Sequence, residues 1–294
     1  MQGKHARICA PGGVADSLAR ARARQPFPLC LSVVVVFMLI LAKSSWAAGT
    51  PNLLLITVDD MNADSVGAFG AITPGTTPNI DRLARQGLRF DLAHVQVANC
   101  NPSRNVMWSG RYPHSNAVEG FDQVRDPGYE TLPDLLRSAG YFTAIRHKVN
   151  DSSPYHPYPW DLVLDGAGEG APPHPRDPSA YGVSTALGIA AARDAGKPFA
   201  LMINIGDPHV PFYGRDKEGR AVDDPHSPSR LFAADEIAVP GFLVDDPVIR
   251  AELADYYSSV RRADDAVGSV LGALDKSGQA RHTLVMFLSD HGMP

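Results

Sequence analysis

The 294-residue chain has a formal net charge of −5, with 44% hydrophobic and 20% charged residues, a globular composition that excludes a disordered or coiled-coil protein. Its 26 glycines and 25 prolines follow no G-X-Y period, which excludes collagen and points to many shaped loops. Two domains at most fit this length.

The first 27 residues hold Lys4, Arg7, Arg20, Arg22 and Arg24, and the uncharged run 29–42 (LCLSVVVVFMLILA) follows. A basic segment followed by an apolar one reads as a signal peptide. At about 1.5 Å per residue the run rises about 21 Å, short of the roughly 30 Å of a bilayer core. Export to the periplasm or medium is expected, without a stable membrane anchor. With cleavage after Ala47, the expected divisions are a signal peptide over 1–47 and one catalytic domain over 50–294. Six Lys/Arg and one Asp leave with the signal, so the remainder carries about −10, which argues against nucleic-acid binding. Cys9 and Cys30 leave with it, so Cys100 has no disulfide partner within the chain.

Along the remaining chain, 52–58 (NLLLITV) is a continuous apolar run, the pattern of a strand buried on both faces, and it leads into Asp59 and Asp60. A helix is predicted over 78–86, with Thr77 as N-cap, Pro78 in the first turn and Gly87 as the stop. The segment 99–113 (NCNPSRNVMWSGRYP) predicts a helix with Cys100 at its N-terminus. A helix over 132–139 and a weaker strand over 141–145 precede His147 and Lys148. After the Pro-rich stretch 150–180, a helix is predicted over 179–194 and a strand over 199–205 (FALMINI), followed by Asp207 and His209. The long stretch 207–246 precedes a helix over 247–276 with Ile249, Leu253, Tyr256, Val260, Val267, Val270 and Leu274 on one stripe. A core-type strand over 283–288 (TLVMFL) runs into Asp290 and His291.

Strands alternating with helices predict an α/β fold with a mostly parallel central sheet and helices on both faces. Ligands in such sheets bind beyond the carboxyl ends of the strands. The polar clusters all follow strands, so residues up to 230 positions apart are expected to converge on one pocket walled by the two long loops. Cys100 at a helix N-terminus, with Arg104 one turn on, stands where backbone N–H groups and a fixed cation favour an anion.

The pentapeptide Cys100-Asn101-Pro102-Ser103-Arg104 matches C-x-P-S-R, the signature of the sulfatases of the alkaline phosphatase-like superfamily. Asp59-Asp60, 77–83 (TPNIDRL), Ser109-Gly110-Arg111 and Ser289-Asp290-His291-Gly292 support the match. The chain resembles this family over 51–294, and the wording of 253–294 looks most like the heparan N-sulfatase (sulfamidase) branch.

The resemblance implies that a maturation enzyme oxidises Cys100 to formylglycine, an aldehyde whose hydrate supplies the nucleophile. It implies that Asp59, Asp60, Asp290 and His291, with the formylglycine oxygen at Cys100, hold one Ca²⁺; an oxygen-rich set favours such a hard ion. Arg104 would hold the hydrate, Lys148 would contact sulfate, and His209 would contact sulfate or protonate the leaving atom. The implied enzyme is a sulfatase acting on a sulfated carbohydrate, with the N-sulfate of a heparan-type glucosamine as first substrate and an O-sulfate ester as the alternative. A phosphoester hydrolase of the same superfamily and an inactive carbohydrate-binding relative are the rivals.

Two departures from the family pattern stand out. The family commonly has His two positions after the lysine, where this chain has Asn150, so the group that deprotonates the nucleophile stays open, with His147 as a substitute. Family members also continue beyond the strand at 283–288 into a smaller C-terminal subdomain, so its absence is expected here.

Overall fold

The computed structural model describes residues 49–122, 124–166 and 174–293; the expected signal peptide over 1–47 lies outside them. Five strands form one sheet: β1 (Asn52–Asp59), β2 (Phe142–Arg146), β3 (Leu162–Val163), β4 (Phe199–Pro208) and β5 (Thr283–Ser289). Their spatial order is β3-β2-β4-β1-β5 and every pairing is parallel. Parallel neighbours need crossovers. These are supplied by α1 (Pro78–Gln86), α2 (Cys100–Ser109), α3 (Pro113–Asn116), α4 (Leu132–Ser138), α5 (Pro178–Asp194) and α6 (Pro247–Lys276).

β4 is buried along its whole length: β1 and β2 pair with both of its edges, and side chains of α5 and α6 pack against it. Leu54, Ile56 and Val58 of β1 and Leu201, Ile203 and Ile205 of β4 pack with Val260, Val267, Val270 and Leu274 of α6 in one core. Each such side chain is worth about 1.5–3 kcal/mol of transfer free energy. The predicted α6 stripe is this core face, with Ile249 packed at its margin.

β5 differs from its core-type composition. Among the described residues it is an edge strand, and Leu284 and Met286 are 53% and 37% exposed. Strand β3, within the Pro-rich stretch 150–180, is only two residues long and left no periodic signal.

Thr77 makes no side-chain cap on α1. Its Oγ1 instead donates to Asp81 Oδ1 at 3.0 Å and accepts from Gly67 N at 2.9 Å. The free N–H groups of Asn79 and Ile80 go to the Asp264 carboxylate of α6 at 3.0 and 2.8 Å. A carboxylate is a stronger acceptor at a helix N-terminus than a hydroxyl, so the cap came from the partner helix. Among the described residues no helix is long and apolar enough to cross a membrane.

Candidate active site

The carboxyl ends of β1, β2, β4 and β5 deliver their loops to one side of the sheet, where α2 begins. β1 supplies Asp59 as its last residue, and Asp60 takes the left-handed conformation at φ 65°, uncommon for a residue with a Cβ and typical of strained functional turns. That turn brings the Asp60 N–H to Asp290 Oδ1 at 3.2 Å. His147 and Lys148 are also left-handed, at φ 59° and 48°, and turn the chain after β2 so that Lys148 enters the site.

Cys100 is the first residue of α2 and is 7% exposed. Its Sγ–H donates to Asp59 Oδ1 at 3.3 Å, His291 Nε2 stands 3.4 Å from the sulfur and Lys148 Nζ 3.9 Å. Burial first, then the Asp59 carboxylate, raises the thiol pKa, against the helix-terminus effect expected from position alone. A protonated thiol is a poor nucleophile, so the setting does not activate Cys100 as a cysteine.

Arg104 lies one turn further and is fully buried. Its Nε donates to Asp290 Oδ2 at 3.0 Å, and Nη1 reaches Asn204 Oδ1 at 2.7 Å, Ser152 Oγ at 3.0 Å and Thr57 Oγ1 at 3.2 Å. Nη2 makes no directed hydrogen bond and lies between Asp290 Oδ2, at 3.0 Å, and Asp59 Oδ1, at 3.9 Å. Lys148 Nζ is 2.5 Å from Asp59 Oδ2 and 3.6 Å from Asp151 Oδ2.

These charges set the protonation states. Burial pushes Asp59 up, but Arg104 and Lys148 outweigh it and hold the carboxyl at about 2. Burial and then the Asp59 charge push Asp60 up. Burial pushes Asp290 up as well, against Arg104. Burial alone would lower Lys148, but Asp59 more than offsets it and the ammonium is retained. The Cys100 sulfur, with lesser help from the Val210 carbonyl, Asp59 and Asp60, raises His209 to about 9 despite burial. His209 Nδ1 donates to Val210 O at 2.6 Å, which leaves Nε2 facing Asp60 Oδ2 at 3.9 Å.

Ligand atoms of Asp59, Asp60, Cys100 and His291 lie within 4.8 Å of one another. Asp59 Oδ2 and Asp60 Oδ1 are buried, the first facing Lys148 Nζ and the second 3.2 Å from His291 Nδ1. His291 Nδ1 is 2.8 Å from the Gly292 carbonyl, which can only accept, so Nε2 is the nitrogen presented to the cluster, the usual second partner of a metal-bound histidine. These buried carboxylate oxygens, met by the Lys148 ammonium and the His291 imidazole, together with that imidazole make a donor set that fits a divalent cation with a preference for oxygen. Asp290 stands beside this group: Oδ2 faces Arg104, while Oδ1 accepts from the backbone of Asp60 and His291.

All eight sequence-derived site residues thus meet at one place. His147 does not join them. Its ring lies over Gly206, where a Cβ would fall 2.8 Å from Nε2, and its backbone N–H goes to Asp165 at 2.7 Å. Sequence reasoning missed Thr57, Ser152 and Asn204, the buried acceptors around Arg104. A signal existed for two of them, since Thr57 and Asn204 interrupt apolar runs and are register partners across β1 and β4, bonded at 2.6 Å.

The sulfatase family model matches residues 51–294. The chain belongs to the sulfatase family. The chain is 31% identical over 290 residues to human N-sulphoglucosamine sulphohydrolase (Homo sapiens), covering 92% of this chain and 55% of that protein. It is 26% identical over 334 residues to mouse iduronate 2-sulfatase (Mus musculus), covering 90% of this chain and 59% of the relative. A phosphonate monoester hydrolase of Agrobacterium radiobacter shares the fold at a TM-score of 0.63 with 19% identity, over 82% of this chain and 62% of that one. The chain spans about half the length of the curated relatives it matches.

Proposed function

We propose that residues 50–294 are the N-terminal part of the catalytic domain of an exported, formylglycine-dependent sulfatase that removes sulfate from a sulfated carbohydrate, with the N-sulfate of a heparan-type glucosamine as its first substrate. The observation that carries this is the setting of Cys100: a buried, unactivated thiol at a helix N-terminus, within 3.9 Å of a carboxylate, an imidazole and an ammonium. The 31% identity to human N-sulphoglucosamine sulphohydrolase supports the choice of substrate. The identity to iduronate 2-sulfatase keeps an O-sulfate ester as the second reading.

Formylglycine at position 100 would supply an oxygen nucleophile, and Ca²⁺ held by Asp59, Asp60, His291 and Asp290 would supply positive charge at the reacting oxygens. The chain's own residues do the rest. Arg104, fixed by Asp290, Asn204, Ser152 and Thr57, lies one turn from residue 100, and its Nη2 faces the Asp59 oxygen that the residue-100 side chain bonds, so it would meet charge on the nucleophile. Lys148 keeps its proton beside Asp59 and can meet charge on a sulfuryl oxygen. His209, with Nδ1 committed to Val210 O, presents Nε2 as the donor for the leaving atom.

The test is peptide mass spectrometry across residue 100 of protein made together with a maturation enzyme, followed by assay on glucosamine N-sulfate, glucosamine 6-O-sulfate and a phosphate ester. Aldehyde and sulfate release are expected. Unmodified thiol with no turnover would favour the inactive binding relative, and preferential phosphate release would favour the phosphoester hydrolase.

A further inference from the structure

The end of β4 carries a second buried charge cluster that the chemistry above does not use. Asp207, two residues before His209, is 2% exposed, and a carboxylate there needs cations close by. Arg262 of α6, 1% exposed, grips it through Nε to Oδ2 at 2.8 Å and Nη2 to Oδ1 at 3.1 Å, and its Nη1 reaches Asp224 Oδ2 at 2.5 Å. Arg176, just before α5, shares the Asp207 carboxylate. Its Nη1 bonds Asp207 Oδ1 and its Nη2 donates to the backbone carbonyl of His209 at 2.9 Å.

Arg176 therefore spans two points of the segment that presents His209. Its own segment is fastened as well. Tyr181 Oη, fully buried, donates to Pro175 O at 2.7 Å and accepts from Gly206 N at 3.2 Å, and Arg176 N bonds His174 Nδ1 at 3.2 Å. Three ties thus run from residues 175–176 to residues 206–209. A planar guanidinium bound to both a side chain and a main-chain carbonyl fixes direction as well as charge, which an ammonium cannot do in full.

We infer that Arg176 is a positioning residue that fixes His209 over the residue-100 side chain, acting through Asp207 and the His209 carbonyl. For what His209 does, the inference rests on the sulfatase reading. Arg262 is the wrong residue to test, because removing it takes the bidentate partner from buried Asp207 and the cation from half-buried Asp224 and endangers the fold. Arg176, with a side chain 17% exposed at the rim, is the better one.

The experiment uses the full chain made with the maturation enzyme, with aldehyde content at residue 100 matched between variants. Turnover is measured on glucosamine N-sulfate, or on glucosamine 6-O-sulfate if the wild type prefers that ester. Arg176→Met is expected to lower kcat about tenfold or more with KM within about twofold, and Arg176→Lys to recover part of the loss. In a double-mutant cycle, His209→Ala with Arg176→Met is expected to lose no more than His209→Ala alone, because both changes remove one contribution. Independently of activity, backbone amides of His209, Val210, Phe212 and Tyr213 are expected to exchange faster in Arg176→Met while those of α6 keep their wild-type rates. Additive losses in the cycle, unchanged exchange at 209–213, or faster exchange spread over α6 would each overturn the inference. An active wild type with an equally active Arg176→Met would sink this inference alone; a wild type that turns over neither sulfate sinks the sulfatase reading and this inference with it.

Discussion

Arg104 meets Asp290 with both side chains at 0% exposure, Nε and Nη2 each 3.0 Å from the same carboxylate oxygen, although 186 residues separate them. Breaking a buried pair from one side strands a charge in low dielectric, at a cost of about 3–5 kcal/mol. Arg104→Met is expected to lower stability by that order in urea unfolding, because Asp290, Asn204, Ser152 and Thr57 lose one common donor. Arg104→Lys is expected to recover only part, since a single ammonium cannot reach all four acceptors.

Cys100 contributes little to the core on its own. Cys100→Ala removes one small buried side chain and the S–H donor to Asp59, a change expected to cost roughly 1 kcal/mol. Sulfate release is expected to fall to the uncatalysed background, while far-UV circular dichroism and the melting temperature stay close to wild type. Retained turnover would show that residue 100 is not the reacting group.

Calcium is expected to raise the melting temperature of the wild type, since an ion that binds only the folded state adds about 2.7 kcal/mol at a hundred times its Kd. Asp60→Asn removes one negative charge from the ligand cluster and is expected to shift that calcium titration to higher concentration by an order of magnitude or more. Magnesium, which holds its water more tightly, is expected to substitute poorly. Calorimetric scans with chelator, calcium and magnesium check all three.

His147 supplies a pH dependence. Burial, acting first and against Asp165, lowers its pKa from 6.5 to about 4. The unfolded chain therefore takes up a proton before the folded one as the pH falls. The contribution is fully present above pH 6.5 and is lost as the pH drops through that window towards 4, with a slope of up to about 1.4 kcal/mol per unit. His147→Gln removes this titration, so the difference in unfolding free energy between wild type and variant is expected to change across pH 4–6.5 and to be flat above it. A difference that stays constant throughout would contradict the neutral state of the half-buried His147.

Much of this protein could be read from the order of its residues. Long apolar runs at β1 and β4 announced parallel strands, because a strand covered on both faces carries no polar alternation. Pro and Gly punctuated α1 at its actual ends. The C-x-P-S-R pentapeptide singled out Cys100 and Arg104 because its residues are neighbours in the chain. The exposed side of β5 was not legible, since composition does not say whether a strand has one neighbour or two.

What only the tertiary structure decided concerns partners brought together from a distance. Thr77 has the chemistry of an N-cap, yet Asp264 took that role because α6 places a carboxylate at the start of α1. His147 stood next to Lys148 as a substitute base, but two successive left-handed residues send its ring towards Gly206 and its neighbour into the site. Asn204 and Thr57 became anchors for Arg104 through strand register, and Arg176 reached His209 through a loop and a buried aspartate. Local chemistry is written in side-chain identity and spacing; which groups neutralise one another in a dry interior depends on directions and distances that exist only once the sheet has closed on its helices.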